Sequence, residues 1–308
     1  MKFNETAYKD NLVDQIKKLK KETDAYILAH NYQRDEIQAV ADLIGDSLEL
    51  SRAAVKVRNK VIVFCGVHFM AECAAILNPT KTVLLPVKEA GCPLADMATP
   101  EKLRDMKKKY PGVPVVCYVN SSAAVKAESD ICVTSANAVK VVNAMKEKRI
   151  IFIPDKNLGT YVSQHTDKEV ILWEGFCATH INLTEEEVVK MKKLHPGAKF
   201  LAHPECRKEV LALTDHIAST SGILRYVKES PEKEFIIGTE SGILYRLKQM
   251  NPDKKFYLPS QHLTCANMKL TTLGWLTRSL KNMQYKVTVK EPIAAKARRT
   301  LERMLEIV

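Results

Sequence analysis

The stretch Leu172-Trp173-Glu174-Gly175-Phe176-Cys177-Ala178-Thr179-His180 decides how this chain is read. A short apolar run, Val170 to Trp173, stops just before a glycine, and a cysteine and a histidine follow closely. A buried strand ends this way when the loop at its carboxyl end carries chemistry. Alone, such a cysteine reads as a core thiol, because cysteine is among the most buried residue types. The chain does the same thing three times, however. Cys92 closes the run Thr82–Val87 and its extension Lys88-Glu89-Ala90-Gly91, and Cys265 follows Phe256-Tyr257-Leu258.

Working outward, each cysteine closes one copy of a longer unit. In the first, Ala25–Ala29 is a buried-type strand ending in His30-Asn31-Tyr32, with a helix from Asp35 to Asp42. Leu43-Ile44-Gly45-Asp46-Ser47 then opens another helix, Lys60–Phe64 is a strand, Phe69–Ile76 a helix, and Thr82–Leu85 the last strand before Cys92. The second copy starts with Val115-Val116-Cys117 and the strand end Tyr118-Val119-Asn120. It passes through Ile131-Cys132-Val133 into Thr134-Ser135, and its later strands are Ile150–Ile153 and Glu169–Leu172. The third has Phe200-Leu201-Ala202 before His203-Pro204-Glu205, then His216-Ile217-Ala218 before Ser219-Thr220, then Phe235-Ile236-Ile237 and Phe256–Leu258.

The internal offsets match. His30 to Ser47, Tyr118 to Ser135 and His203 to Thr220 are each 17 positions, and His30 to Cys92 and His203 to Cys265 are each 62, against 59 for Tyr118 to Cys177. A shared period of roughly 85–90 residues identifies a threefold repeat. Strands alternating with helices imply parallel sheets. The expectation is therefore an α/β protein of three homologous three-layer α/β/α domains with small parallel sheets. The expected domains are residues 1–99, with an N-terminal amphipathic helix over 7–21, then 100–183 and 184–270. A helical segment over 271–308 completes the chain and is expected to pack on the first domain. Thr184 and Glu187 fit a capping box at the start of the helix that links the second and third copies.

Composition narrows the function. With 46% hydrophobic and 27% charged residues over 308 positions, the chain can bury several cores. It shows no bilayer-length apolar run and no signal-type start, so a cytoplasmic location without membrane contact is expected. Eight cysteines in a reducing compartment are core residues, metal ligands or nucleophiles rather than disulfides. The absence of any Cys-x-x-Cys argues against zinc ribbons and clustered ferredoxin patterns. The net charge of +11 is spread over small groups such as Lys107-Lys108-Lys109, without interleaved aromatics. That pattern points to a solvated surface that attracts anionic substrates rather than to nucleic acid.

Ligands of parallel α/β sheets sit at the carboxyl ends of the strands. If three copies turn those ends toward one axis, Cys92, Cys177 and Cys265 meet in one cavity. Three thiolates can hold zinc or an iron–sulfur cluster with one position open for substrate. Cys65, Cys73, Cys117, Cys132 and Cys206 fall in or beside strands and helices and read as core thiols. The first-strand ends add His30, Tyr32, Tyr118, Asn120, His203 and Glu205, a set able to bind carboxylates and move protons. Ser47, Ser135 and Thr220 stand at helix starts, as ordinary caps and as phosphate or carboxylate contacts. His180, three residues after Cys177, is within reach of a metal or its substrate.

These residues together resemble the quinolinate synthase A family. The resemblance runs through Ala29-His30-Asn31-Tyr32-Gln33, Gly45-Asp46-Ser47, Tyr118-Val119-Asn120-Ser121, Thr134-Ser135-Ala136-Asn137, His203-Pro204-Glu205-Cys206, Ser219-Thr220-Ser221-Gly222 and the three separated cysteines. No one piece is specific, but the ordered set is. The resemblance implies three α/β/α domains about a pseudo-threefold axis and a [4Fe–4S] cluster on Cys92, Cys177 and Cys265 with one iron open. It implies condensation of iminoaspartate with dihydroxyacetone phosphate to quinolinate in NAD biosynthesis, with release of phosphate and water. His30, Ser47, Tyr118, Asn120, Ser135, His203, Glu205 and Thr220 would then bind substrate. Tyr32 and Glu205 would transfer protons with help from His203 and His180, and Ser47 and Ser135 would hold the phosphate. An iminoaspartate-producing oxidase or dehydrogenase is the implied functional partner. Cys265 stands alone where some members carry closely spaced cysteines, so a redox switch on such extra thiols is not expected here. Two other readings remain: a zinc hydrolase on the same cysteines, which inorganic sulfide would exclude, and a basic three-domain binding protein, which salt-dependent retention on DNA would reveal.

Overall fold

The computed structural model describes residues 5–307. Its strands form three four-stranded sheets in which every pairing is parallel. The first sheet holds β1 (Ala25–His30), β2 (Leu43–Gly45), β3 (Val61–Cys65) and β4 (Thr82–Leu84), in the order β2-β1-β3-β4. The second holds β5 (Val115–Tyr118), β6 (Ile131–Val133), β7 (Arg149–Ile153) and β8 (Glu169–Leu172), in the order β6-β5-β7-β8. The third holds β9 (Lys199–Ala202), β10 (His216–Ile217), β11 (Glu234–Gly238) and β12 (Lys255–Tyr257), in the order β10-β9-β11-β12. One topology used three times is what the matched offsets predict. The central strands are apolar along almost their whole length, as in Val61–Cys65 and Val115–Tyr118, because helices cover both faces of a parallel sheet.

The second strand of each copy was not anticipated as a strand. Leu43-Ile44-Gly45, Ile131-Cys132-Val133 and His216-Ile217 pair along the edge of β1, β5 and β9 instead of leading straight into helices. An aspartate just before each one sets the register. The Oδ2 atoms of Asp42, Asp130 and Asp215 accept the backbone N–H of Ile27, Val115 and Phe200 at 2.8, 2.7 and 2.8 Å. The aspartates' own N–H groups return a bond to the carbonyls of the same three residues at 2.9, 3.0 and 2.8 Å. The strand edge is thus satisfied before ladder pairing begins, by a charged acceptor.

The backbone divides into two compact units: the chain up to Cys92 with Ala266–Lys290, and Pro93–Cys265 with the chain from Glu291 onward. In the first, the helix Glu5–Glu22 buries Leu12 and Ile16 with Leu273, Leu276 and Leu280 of the helix Leu273–Asn282 against one face of the first sheet. The short run after that helix lies antiparallel to β4, with bonds between Leu85 and Tyr285 and from Val287 N–H to Val83 O. The second unit carries the other two sheets. Its linking helix Glu185–Leu194 opens with the expected Thr184–Glu187 capping box. The tail does not stay together on the first domain: the helix Ile293–Glu306 packs on the helix Ala123–Ala127 and on β6. Ala294 and Ala297 permit the close approach, Thr300 Oγ1 meets Cys132 Sγ at 3.2 Å, and Arg303 donates to Asp130 O at 2.6 Å.

Candidate active site

The cysteine loops are built alike. In each copy, an N–H just beyond the third strand donates to the carbonyl two residues before the cysteine: His68 to Ala90 at 2.7 Å, Lys156 to Gly175 at 2.8 Å and Ser241 to Leu263 at 2.7 Å. Cys92, Cys177 and Cys265 are the partly exposed cysteines, whereas Cys65, Cys73, Cys117, Cys132 and Cys206 are buried. Burial pushes the Cys65 and Cys206 thiols well above their ordinary range, which suits inert core residues. At Gly175 a Cβ would run into the Pro154 carbonyl oxygen, so only glycine lets the Cys177 loop lie this close to the end of β7.

Two buried carboxylates that the sequence did not single out hold the second and third of these loops. Asp155 accepts the Leu158 N–H at 2.8 Å on Oδ1 and the Cys177 N–H at 3.1 Å on Oδ2. Glu240 accepts the Gly242 N–H at 2.7 Å on Oε2 and the Cys265 N–H at 2.9 Å on Oε1. Both are fully buried.

Beside Cys177 lies a compact group of ionisable side chains. His180 opens the 3-10 turn His180–Asn182, which brings its Nδ1 to 3.2 Å from Cys177 Sγ and 3.0 Å from Glu205 Oε2. Its Nε2 is 2.8 Å from Thr239 Oγ1. His203, at the end of β9, has Nδ1 3.3 Å from Glu205 Oε2 and Nε2 3.0 Å from Ser135 Oγ. The two imidazoles stack at 4.8 Å. Burial disfavours the Glu205 carboxylate, yet His203 and His180 overcome it and hold the carboxyl below its usual range. For Asp155 the balance is opposite: burial, reinforced by the charge of Glu205, pushes its carboxyl well above the ordinary range against the amides of Leu158 and Cys177. Two buried acceptors, Glu205 Oε1 and Asn120 Oδ1, have no hydrogen-bond partner in the protein. Such orphans at the end of a parallel strand mark a place for a ligand donor.

The remaining residues expected in the site fall into place separately. In the first unit the Tyr32 N–H donates to His30 Nδ1 at 3.1 Å, the same local bond that joins Glu205 N–H to His203 Nδ1 at 3.3 Å. The Tyr32 ring stands edge-on to His30 at 4.6 Å. Tyr118 closes β5 and is buried. Ser47 and Thr220 are the first residues of their helices but do not cap them. The caps are Asp46, with a full capping box to Glu49, and Ser219, which accepts the Gly222 N–H. Ser135 sits in a turn fixed by Asn137 Oδ1 rather than on the helix Ala138–Ala144. The cap reading of these three is corrected accordingly: Asp46 and Ser219 take the helix N–H groups beside Ser47 and Thr220, and the helix after Ser135 has no side-chain cap.

A family profile described as "Quinolinate synthetase A protein" matches residues 14–306. The chain is 58% identical over 298 residues to the quinolinate synthase of Geobacter sp. strain M21, covering 97% of this chain and 98% of the relative. It is 56% identical over 305 residues to quinolinate synthase 2 of Methanosarcina acetivorans, covering 99% and 98%. The quinolinate synthase of Dehalococcoides mccartyi strain CBDB1 is 54% identical over 301 residues, covering 98% and 100%. The chain belongs to the quinolinate synthase A family.

As a member of the quinolinate synthase A family, the chain is an enzyme of NAD biosynthesis. Among the described residues no helix is long and apolar enough to cross a membrane. Beyond the carboxylates, sequence reading also missed two arginines. Arg34 Nε donates to Lys269 O at 2.7 Å in the first unit, and Arg207 Nε to Ile181 O at 2.6 Å in the second. Each stands four residues after its strand-end histidine and grips the short turn that follows a cysteine loop. The shared spacing was the available signal.

The donor set fits an iron–sulfur cluster. The three partly exposed cysteines occupy one position of one repeated loop, the other thiols are shut in the core, and three soft thiolates suit such a cluster. The donor atoms of Cys177, His180 and Glu205 also lie within 4.8 Å of one another, but His180 is already engaged by Glu205 and Thr239.

Proposed function

We propose that this enzyme condenses iminoaspartate with dihydroxyacetone phosphate to form quinolinate, releasing phosphate and water. In this reading Cys92, Cys177 and Cys265 hold a [4Fe–4S] cluster. When bound, the cluster supplies Lewis-acid chemistry to a substrate carboxylate or hydroxyl through the iron without a protein ligand. The observation that most supports the reading is the buried His180–Glu205–His203 group beside Cys177 in a chain of this family.

The side chains divide the work by their geometry. Glu205 is held at Oε2 by two imidazoles and keeps Oε1 for substrate, so it can accept a proton from a substrate C–H or N–H at Oε1. His203 and Ser135 are coupled at 3.0 Å, which orients the serine hydroxyl toward a phosphate or carboxylate oxygen. Asn120 Oδ1 is an acceptor in search of a donor and fits the imine or amine nitrogen of a substrate. His30 fixes Tyr32 as the second proton carrier, while Tyr118 and Thr220 contribute hydroxyls and Ser47 joins Ser135 at the phosphate. An imine such as iminoaspartate hydrolyses in water, so an oxidase or dehydrogenase that makes it has to act alongside.

The test is iron and acid-labile sulfide on anaerobically purified protein, followed by quinolinate formation from enzymatically generated iminoaspartate. About four iron and four sulfide per chain, lost in Cys177→Ala together with activity, is the expected result. Stoichiometric zinc without sulfide would overturn the reading in favour of a mononuclear site.

A further inference from the structure

All three cysteine loops make the same backbone bond to the end of their third strand, from His68, Lys156 and Ser241. The residue just before that donor is Val67 in the first copy, Asp155 in the second and Glu240 in the third. The first copy therefore forms its loop with a buried valine at a position where the other two bury a carboxylate. Burying a carboxylate is costly unless its bonds repay it, and a loop that forms without one does not require it for folding. Asp155 caps the helix Lys156–Ser163 with one oxygen and Glu240 takes the Gly242 N–H of the following turn with one, and each gives its other oxygen to the amide of Cys177 or Cys265. They reach the same end with side chains of different length, which a purely local fold requirement does not demand.

We propose that Asp155 and Glu240 are positioning residues for the cluster. By taking the amide N–H of Cys177 and Cys265, each fixes the Cα–Cβ direction of its cysteine and draws that N–H toward oxygen rather than toward the thiolate sulfur. Groups behind the ligands commonly change metal retention by about 10- to 100-fold, and hydrogen bonding near the sulfurs sets cluster potential. The first copy has Val67 at this position, so the three ligands are inequivalent by construction: the amides of Cys177 and Cys265 are taken by buried carboxylates, and the Cys92 loop buries a valine there.

This inference rests on the cluster reading above, and its test separates the two. Wild type, Asp155→Ala, Glu240→Ala and Glu240→Asp are purified anaerobically, and cluster loss to a chelator is followed by visible absorbance. The electron paramagnetic resonance spectrum of the reduced cluster and the melting temperature of each apoprotein are recorded alongside. The two alanine variants should lose iron about 10-fold or more faster than wild type with altered spectra. Glu240→Asp, which keeps both acceptor oxygens as Asp155 does, should recover most of the retention. Apoprotein melting temperatures that fall in proportion to the iron loss would reassign the carboxylates to folding and overturn the proposal. So would alanine variants that keep iron and spectrum like wild type. A wild-type protein that binds no iron and sulfide would sink the cluster reading instead.

Discussion

Glu205→Gln tests the chemistry most directly. The change keeps side-chain shape in a site where the Glu205, His180 and His203 side chains are 4%, 2% and 3% exposed or less, so packing is preserved. What it removes is a carboxylate that the two histidines hold below the ordinary range and therefore ionised at neutral pH. The charge-assisted hydrogen bond from His180 Nδ1 is lost, a contribution of about 1.5–3 kcal/mol. Against that loss the variant no longer buries a charge, and the repulsion that pushes Asp155 upward disappears. The two effects oppose each other in the fold, but nothing offsets the loss of a proton acceptor at Oε1. Positioned proton transfer contributes about 100- to 10,000-fold, or about 2.7–5.4 kcal/mol of barrier at about 1.36 kcal/mol per decade. The expected result is kcat lower by that factor at matched cluster content, with KM for dihydroxyacetone phosphate changed far less. Quinolinate is measured anaerobically with iminoaspartate generated in the same vessel. A Glu205→Gln enzyme within 10-fold of wild-type kcat per cluster would refute the assignment of proton transfer to Glu205.

Gly175→Ala should push the Cys177 loop off the end of β7, because the added Cβ meets the Pro154 carbonyl rather than a side chain that can move. Cluster content is expected to fall several-fold while the far-ultraviolet circular dichroism spectrum is retained; full iron and sulfide would contradict the packing argument. Asp130→Ala removes the charged acceptor from the part-buried Val115 N–H and should cost about 1.5–3 kcal/mol in urea unfolding. A loss below about 0.5 kcal/mol would show that water replaces the carboxylate there.

The residues on which the three copies agree and those on which they differ carry different burdens, and this decides what could be read from the sequence. The central strands were legible because helices on both faces demand unbroken apolar runs, and the strand-end histidines and exposed cysteines because their offsets recur. The edge strands β2, β6 and β10, two or three residues long, are too short for any periodicity to register. At the helix starts, Asp46-Ser47 and Ser219-Thr220 each place two good capping residues side by side, so only the backbone reveals which one caps. The carboxylates of the cysteine loops were hidden for the opposite reason, since Val67, Asp155 and Glu240 share a position without sharing chemistry. His180 likewise corresponds to Met268 in the third copy, where a thioether opens the matching turn and accepts from Gln33 instead. Tyr32, Asn120 and Glu205 are three chemistries at one strand end. Agreement, as in Asp42, Asp130 and Asp215, builds the frame; a substrate with unlike ends then requires the copies to diverge at the atoms that face it, so the differences between aligned copies are where catalytic residues should be sought.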